Sequence, residues 1–220
     1  MNKRHTAFDF DGTVLDTNEV IVNSWQEVFR HFEGKERTEA EIFATFGETV
    51  DFSMRRFFPD DKVEEAKKVY RAYQAEHAEE QVRLFDGVRE LLSELKVRGH
   101  LVSLVTSRLS RTTHDYLEMF GIADLFDVVI TCDDVAEHKP DPKPLLVAME
   151  RLGVTAEETI MLGDTKFDIG CANNAGADSV LAKWSHAISE EDVRDFPPKY
   201  VIDKPEDFLE LVQEFLRGGI

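Results

Sequence analysis

The strongest constraint on the fold is a repeated alternation of short apolar runs and amphipathic stretches between residues 88 and 182. Four amphipathic stretches end at Gly99, Gly121, Gly153 and Gly176, and an apolar run follows each of them. Glycine commonly ends helices because it adopts the left-handed conformation after the last turn. Short apolar runs between helices are typical of strands buried on both faces of a sheet. The pattern therefore predicts an α/β fold with a doubly wound, Rossmann-like parallel sheet.

An apolar run at residues 5–10 predicts the first strand of this sheet, but the next core strand begins only near residue 101. Most of the intervening segment is charged and has helical periodicity, with predicted helices at 19–32, 39–46, 52–58 and 62–80. We therefore expect a small α-helical cap domain over residues 17–84, inserted into a core formed by residues 1–16 and 85–220. Two further helices are predicted near the C-terminus, one beginning at Ser189 and one over residues 205–216.

Composition narrows the classes of partner. The 220 residues include 26 Lys+Arg and 44 Asp+Glu, which gives a formal net charge of −18. This acidity argues against nucleic acid and against an anionic membrane surface as partners. No apolar run approaches the ~20 residues that a membrane span needs, and two cysteines, Cys132 and Cys171, are too few for a disulfide scaffold. We therefore expect a cytoplasmic protein, monomeric by default, in which a cation or a local basic group offsets the acidic surroundings of any anionic substrate.

Polar residues lie directly after the carboxyl ends of the predicted strands or in the segment that follows. They are Asp9 and Asp11 after the first strand, Thr106 and Ser107 after the second, Lys139 in the segment after the third, and Asp164 with Asp168 after the fourth. Ligands of open parallel sheets bind at the carboxyl ends of the strands. The sequence therefore predicts that these side chains, from separate parts of the chain, form one site.

The carboxylates in this set predict a site for a divalent cation. Residues two apart on a strand and four apart on a helix share a face, so Asp9 can lie beside Asp11 and Asp164 beside Asp168. Two unit charges ~4 Å apart repel by about 4 kcal/mol at an effective dielectric constant of ~20, so such a cluster requires a cation or raised pKa values. Oxygen ligands favour Mg²⁺ over zinc. Together with the lysine and the hydroxyl groups, they suit a phosphoryl group.

Four segments at these positions resemble the signature motifs of the haloacid dehalogenase-like phosphatases. Residues 9–17 (DFDGTVLDT) resemble the DxDGT motif, Thr106-Ser107 the second motif, residues 139–142 (KPDP) the third, and residues 163–168 (GDTKFD) the GDxxxD form of the fourth. All four occur in the order found in the family, and the helical insertion is similar to a type 1 cap. The spacing looks most like that of phosphoglycolate phosphatases and related pyrophosphatases.

The resemblance implies a role for each matching residue. It implies that Asp9 is the nucleophile and that Asp11 is the general acid and base. It implies Mg²⁺ ligands from Asp9, the Asp11 carbonyl and Asp164, with Asp168 close by. Thr106, Ser107 and Lys139 are implied to hold the phosphoryl oxygens, and Gly47 and Glu48 to lie in a cap loop that faces the substrate. The implied substrate is a small phosphorylated metabolite or inorganic diphosphate.

Three alternatives have sequence features that discriminate them. A mutase of the β-phosphoglucomutase type carries a histidine in the first cap helix, where this chain has Ile21 and no histidine lies between Thr6 and Arg30. A haloacid dehalogenase proper does not use the second aspartate of the first motif as an acid and base, so Asp11 argues against it. A catalytically silent binding protein would be free to lose these groups, and the sequence retains all of them.

Overall fold

The computed structural model describes residues 3–185 and 194–217. In chain order, the strands are β1 (His5–Phe8), β2 (Leu15–Asp16), β3 (Arg83–Leu84), β4 (Leu101–Val105), β5 (Val128–Ile130), β6 (Thr159–Gly163), β7 (Asp178–Ala182) and β8 (Tyr200–Ile202). The α-helices are α1 (Asn18–Glu33), α2 (Glu39–Phe43), α3 (Val50–Phe57), α4 (Asp60–Gln81), α5 (Val88–Val97), α6 (Ser110–Met119), α7 (Lys143–Leu152), α8 (Lys166–Ala175) and α9 (Pro205–Arg217).

Six strands form a parallel sheet in the order β5-β4-β1-β6-β7-β8. The chain first builds outward from β1 through β4 to β5, and then returns to the other side of β1 with β6. This reversal of strand order creates the crevice in which ligands of such sheets bind. The predicted doubly wound parallel sheet is therefore confirmed.

Alternating residues of the central strands supply a hydrophobic core on each face of the sheet. Phe8, Leu104 and Leu162 face one cluster, which includes side chains of α5, α6 and α9. Ala7, Val105 and other residues that neighbour these in the strands point to the opposite face of the sheet. There they form a second cluster with α7 and α8. Helices on both faces explain why the strands read as continuous apolar runs in the sequence.

Residues 17–84, here called the cap, contain α1 to α4 and have a hydrophobic cluster of their own around Trp25, Phe29 and Tyr70. Helices α1 and α4 pack along each other, and the antiparallel pair of β2 and β3 lies where the chain leaves the core and returns to it. The two short strands flank the predicted cap boundaries, and the division of the chain into two domains there stays a prediction.

The structure departs from the sequence predictions in a few places. Strand β1 ends at Phe8 rather than at residue 10, because the chain turns back so that Val14 and Leu15 donate to the carbonyl of Phe10. Strands β2, β3 and β8 were not predicted. The helix predicted to begin at Ser189 lies outside the described residues. None of the helices in the described part of the chain combines the length and the apolar composition of a membrane span.

Candidate active site

The candidate site lies at the carboxyl ends of the three adjacent central strands. Asp9 follows β1, Thr106 follows β4 and Asp164 follows β6. Lys139 reaches the same place from the segment after β5. The backbone is also tied together here, since the Asp9 amide donates to the Leu162 carbonyl at 2.9 Å. The residues predicted to converge from separate parts of the chain do so because their strands are neighbours in the sheet.

Three buried carboxylates form the centre of the site. Each of Asp9, Asp164 and Asp168 offers an oxygen, and these oxygens lie within 4.8 Å of one another. The ammonium group of Lys139 donates to Asp9 at 2.5 Å and to Asp168 at 2.6 Å. The Lys139 side chain is only 2% exposed, so these ion pairs are shielded from water. We refer to these four residues as the acidic cluster.

Two glycines permit the close approach of the chain to this cluster. Gly12 has φ +84°, and a Cβ atom there would lie 2.1 Å from Asp164 Oδ2. At Gly163 a Cβ atom would lie 2.3 Å from the Cβ of Asp168. Any other residue at either position would displace a carboxylate of the cluster.

Asp168 has a structural role and a place in the cluster at the same time. One of its oxygens accepts from the amide and hydroxyl of Thr165, at 2.9 and 2.6 Å, and caps the first turn of α8. The other oxygen accepts from Lys139. The hydrogen bonds at the first turn of α8 therefore fix the Asp168 carboxylate, which in turn positions Lys139.

Burial and mutual repulsion alter the proton affinities of these groups. Burial, followed by the charge of Asp168, raises the pKa of Asp9 to about 7. Burial, followed by the charge of Asp9, raises the pKa of Asp164 well above its ordinary range. Burial opposes the charge of Lys139, but Asp168 and Asp9 outweigh it and hold the pKa of that ammonium group above its ordinary value. One lysine therefore does not compensate three carboxylates, and Asp9 and Asp164 hold their protons more tightly than they would in water.

The donor set fits a hard divalent cation. One lysine faces three carboxylates, and its two short contacts are with Asp9 and with Asp168. Among the described residues, no cationic side chain pairs with Asp164, which receives a long 3.5 Å hydrogen bond from Thr13. A cation with two charges would balance the excess, and all the side-chain ligands are oxygens, as Mg²⁺ prefers. Asp9 and Asp164 would hold it, with Asp168 beside them.

Asp11 lies outside the three-carboxylate group because its side chain binds Arg108, a residue that the sequence analysis did not select. Arg108 donates to the two Asp11 oxygens from Nε at 3.1 Å and from Nη2 at 2.6 Å. Burial acts to raise the pKa of Asp11, but the Arg108 guanidinium outweighs it and holds that pKa below its ordinary range. The position of Arg108, directly after Thr106 and Ser107, was the available signal.

Of the remaining predicted residues, Ser107 and Gly47 connect the core to the cap. Thr106 is 5% exposed, and its hydroxyl accepts from the Arg108 amide at 3.1 Å. The Ser107 hydroxyl donates to the carbonyl of Gly47 in the loop between α2 and α3, at 2.9 Å. The Glu48 carboxylate accepts from Ser53 at 2.5 Å and pairs with Arg56 at 2.7 Å. Ser107 and Gly47 therefore join core and cap directly, while Glu48 stabilises the cap loop.

A cavity of about 190 Å³ lies between the cap and the core. Its core side includes Asp9, Asp11, Thr106, Ser107, Arg108 and Lys139, and its cap side includes Ile21, Trp25, Phe46, Gly47, Glu48 and Tyr70. The volume is below the ~300–1,000 Å³ that is usual for pockets of drug-sized ligands. The cavity therefore suits a small ligand that is held between charged core groups and a cap wall that combines apolar side chains with polar ones such as Arg71 and Gln74.

Comparisons with known proteins show which sequences and folds this chain resembles. Residues 6–182 match the family model of the haloacid dehalogenase-like hydrolases. A pyrophosphatase PpaX from Halalkalibacterium halodurans is 35% identical over 206 residues, covering 93% of this chain and 94% of that protein. A structure from Bacteroides fragilis, assigned to the haloacid dehalogenase-like hydrolases, has a TM-score of 0.86 and 25% identity, covering 94% of this chain and all of the other. One from Lactobacillus plantarum, assigned as a phosphoglycolate phosphatase, has a TM-score of 0.84 and 26% identity, covering 96% of this chain and all of the other.

Proposed function

The chain belongs to the haloacid dehalogenase-like hydrolase family, and we propose that it is a Mg²⁺-dependent phosphohydrolase that forms an aspartyl-phosphate on Asp9. The observation that carries the proposal is the acidic cluster, in which three carboxylates surround one buried lysine, and Asp9 and Lys139 of this cluster line the cavity between cap and core. Inorganic diphosphate is the proposed substrate, because the PpaX relative is a pyrophosphatase. A small phosphomonoester such as phosphoglycolate is the second candidate, favoured by the likeness to the Lactobacillus plantarum structure.

In the proposed reaction, a carboxylate oxygen of Asp9 attacks phosphorus while the bond from phosphorus to the leaving-group oxygen breaks. Asp11 gives a proton to that oxygen, then takes one from the water that attacks the aspartyl-phosphate and releases inorganic phosphate. Lys139 and the Thr106 hydroxyl bind phosphoryl oxygens, and Lys139 also orients Asp9. Mg²⁺ held by Asp9, Asp164 and the Asp11 carbonyl would supply positive charge that offsets the carboxylates and the phosphoryl group. The cap covers this site and limits the access of uncontrolled water.

The cavity lining disfavours the mutase alternative. Among the described residues that line the cavity, the histidine is His138, and it comes from a core loop rather than from the cap. The cap position where the mutases carry their histidine is occupied by Ile21, which also lines the cavity. A silent binding protein is disfavoured because the cluster retains both its lysine and its carboxylates.

We test the proposal by measuring hydrolysis of diphosphate, phosphoglycolate and p-nitrophenyl phosphate with Mg²⁺ and after EDTA treatment. Turnover should disappear with EDTA and return with Mg²⁺, whereas Ca²⁺, which prefers a larger and looser shell of oxygens, should inhibit. Mg²⁺ should also raise the Tm of the wild type but not that of Asp164→Asn. Asp124→Asn should behave as the wild type does, because Asp124 is exposed on the surface of the part formed by residues 1–16 and 85–220. Full turnover in EDTA would contradict the proposed role of the metal. The absence of turnover on all three substrates would contradict the proposed phosphohydrolase activity.

The proposal includes a cytoplasmic location and a monomeric state. Cys132 and Cys171 are free thiols, which a reducing compartment preserves. Size-exclusion chromatography with light scattering measures the oligomeric state directly, and a mass near 25.2 kDa is expected.

A further inference from the structure

Arg108 occupies an unusual place in the cavity, since it binds the proposed acid and base of the reaction and the cap at once. Its guanidinium donates to both oxygens of Asp11 and, from Nη1, to the side-chain oxygen of Gln74 on α4 at 3.3 Å. It also lies 4.6 Å from the ring centroid of Tyr116. The Arg108 side chain is 7% exposed, so these contacts are made away from bulk water.

The cap supports this arrangement from the other side. Gln74 donates to the hydroxyl of Tyr70 at 3.2 Å, and both side chains are buried on α4. The amide of Gln74 is therefore held with its oxygen towards Arg108. The guanidinium is positioned at the boundary between the two parts of the chain that enclose the cavity, where a leaving group would lie.

The ion pair places Asp11 in an unproductive position. Both carboxylate oxygens of Asp11 accept from one guanidinium, and this two-point contact turns the carboxylate towards Arg108 and fixes its direction. Another anion that bound the same guanidinium fork would replace this carboxylate, because planar two-point binding suits phosphate and carboxylate groups equally well. Only a substrate that brings such an anion into the cavity can make this exchange.

The charges that line the cavity leave a place for that anion. The positive charge of Lys139 is shared by Asp9 and Asp168, whereas Arg71 of α4 lines the cavity without an ion pair to any described residue. Arg71 and Arg108 both line this cavity, and the charge of Arg108 is paired there with Asp11. Arg71 shares helix α4 of the cap with Gln74, and Gln74 accepts a hydrogen bond from Arg108 of the core.

We propose that Arg108 determines substrate specificity by binding a second anionic group on the leaving group, which displaces Asp11 from the guanidinium and frees it to act. The substrate class is thus a phosphoryl group joined to a leaving group that carries its own phosphate or carboxylate. The inference rests on the proposed phosphohydrolase function and adds the residue that reads the leaving group. A substrate without the second anion leaves the ion pair of Asp11 and Arg108 intact.

The experiment compares kcat/KM for diphosphate, phosphoglycolate and p-nitrophenyl phosphate, the last of which lacks a second anion. In Arg108→Met, the ratio of kcat/KM for diphosphate to kcat/KM for p-nitrophenyl phosphate should fall about 50-fold, the effect of losing a charged hydrogen-bonded contact. We expect a higher KM for diphosphate, and a higher kcat for p-nitrophenyl phosphate because Asp11 is then free without a second anion. Arg108→Lys should recover about tenfold of that loss, since it restores the charge without the planar fork. Phosphoglycolate shows whether a carboxylate serves as well as a phosphate.

Arg111→Met is the matched control, because Arg111 is exposed on α6 and lies outside the cavity lining. Its ratio should stay within about twofold of the wild type. A Mg²⁺-induced rise in Tm that persists in Arg108→Met shows that the acidic cluster is still assembled. An equal loss for all three substrates, or a wild type that prefers p-nitrophenyl phosphate, overturns the inference alone. No wild-type turnover on any of the three overturns the proposed function and the inference with it.

Discussion

At the residue scale, the proposed chemistry depends on one oxygen of Asp9 that Lys139 does not bind. Lys139 contacts the other oxygen, at 2.5 Å, and contacts Asp168 as well. Asparagine at position 9 keeps the size of the side chain, but its amide cannot attack phosphorus. We expect Asp9→Asn to lower kcat by about 10⁴-fold or more, as the loss of a nucleophile does in other enzymes. Steady-state hydrolysis by the purified variant measures this.

The same substitution has an expected effect on stability that separates chemistry from folding. Because burial raises the pKa of Asp9 from 3.8 to about 7, the folded state at pH 8 holds this carboxylate charged at a cost in stability relative to the unfolded chain. Metal-free Asp9→Asn should therefore unfold at a Tm no lower than the wild type at pH 8. A variant that loses activity and also unfolds early, or that retains turnover within about tenfold of the wild type, would contradict the assignment of the nucleophile.

Single residues also show where the sequence was informative and where it was not. The aspartates after β1 and β6 were predicted because strand ends converge at one edge whatever the details of packing. Alternation along an extended strand predicted Asp11 beside Asp9, but the chain leaves the strand at Phe8, and Arg108 binds the Asp11 side chain. No local pattern shows which carboxylate a buried arginine will choose, since that depends on how the cap closes.

At the scale of elements, the loop between α2 and α3 contacts the core through Gly47. This residue has φ +84°, and a Cβ atom there would lie 2.5 Å from the ring of Phe167 and 2.8 Å from the Thr165 hydroxyl. Gly47→Ala should therefore lift the loop from the core. We expect kcat/KM to fall by about 10- to 100-fold for every substrate, since small displacements of a closing element are costly, while the Mg²⁺ midpoint stays unchanged.

The control for this prediction is Gly34→Ala, at the end of α1. Gly34 has φ +68°, so alanine there meets a similar backbone strain, but no atom lies within 4 Å of the added Cβ. Gly34→Ala should lose about 1 kcal/mol of stability in urea unfolding from backbone strain alone, and Gly47→Ala should lose at least as much. Loss of activity in Gly47→Ala alone assigns the effect to the contact between cap and core, whereas equal loss in both would assign it to strain.

The elements themselves were predictable to different degrees. Glycines 99, 121, 153 and 176 all have positive φ and end or follow helices, as their spacing predicted. Strands β2 and β3 have two residues each, and β8 has three, which is too short for any hydrophobic period to be visible. They form because the chain that leaves and re-enters the core, or follows β7, is placed next to a partner by the rest of the fold.

At the scale of the whole molecule, different polar groups lie at the two ends of the strands, here called the carboxyl edge and the amino edge of the sheet. The carboxyl edge carries the acidic cluster, and the amino edge carries two buried histidines, His5 and His100. The ring of His5 lies 3.0 Å from the Thr159 hydroxyl and 2.9 Å from the Ser103 hydroxyl, while His100 lies 2.8 Å from that of Thr6. These partners are neutral, so neither ring has a carboxylate that would stabilise its charged form by direct contact.

The last prediction follows from these histidines. Burial lowers the pKa of His5 to about 3 and that of His100 to about 4, from 6.5 in the unfolded chain. Below pH 6.5 the unfolded state binds protons that the folded state does not, so each histidine should lower the free energy of unfolding by about 1.4 kcal/mol between pH 7.5 and 5.5. Protonation of carboxylates in this acidic chain acts at the same time, so the measurement is a difference between variants. In urea unfolding at the two pH values, His100→Gln should lose about 1.4 kcal/mol less than the wild type, because its side chain does not titrate.

His114→Gln, at an exposed position of α6, should lose as much as the wild type. If His100→Gln and the wild type show the same dependence on pH, His100 is protonated in the folded protein and this account of the amino edge is wrong.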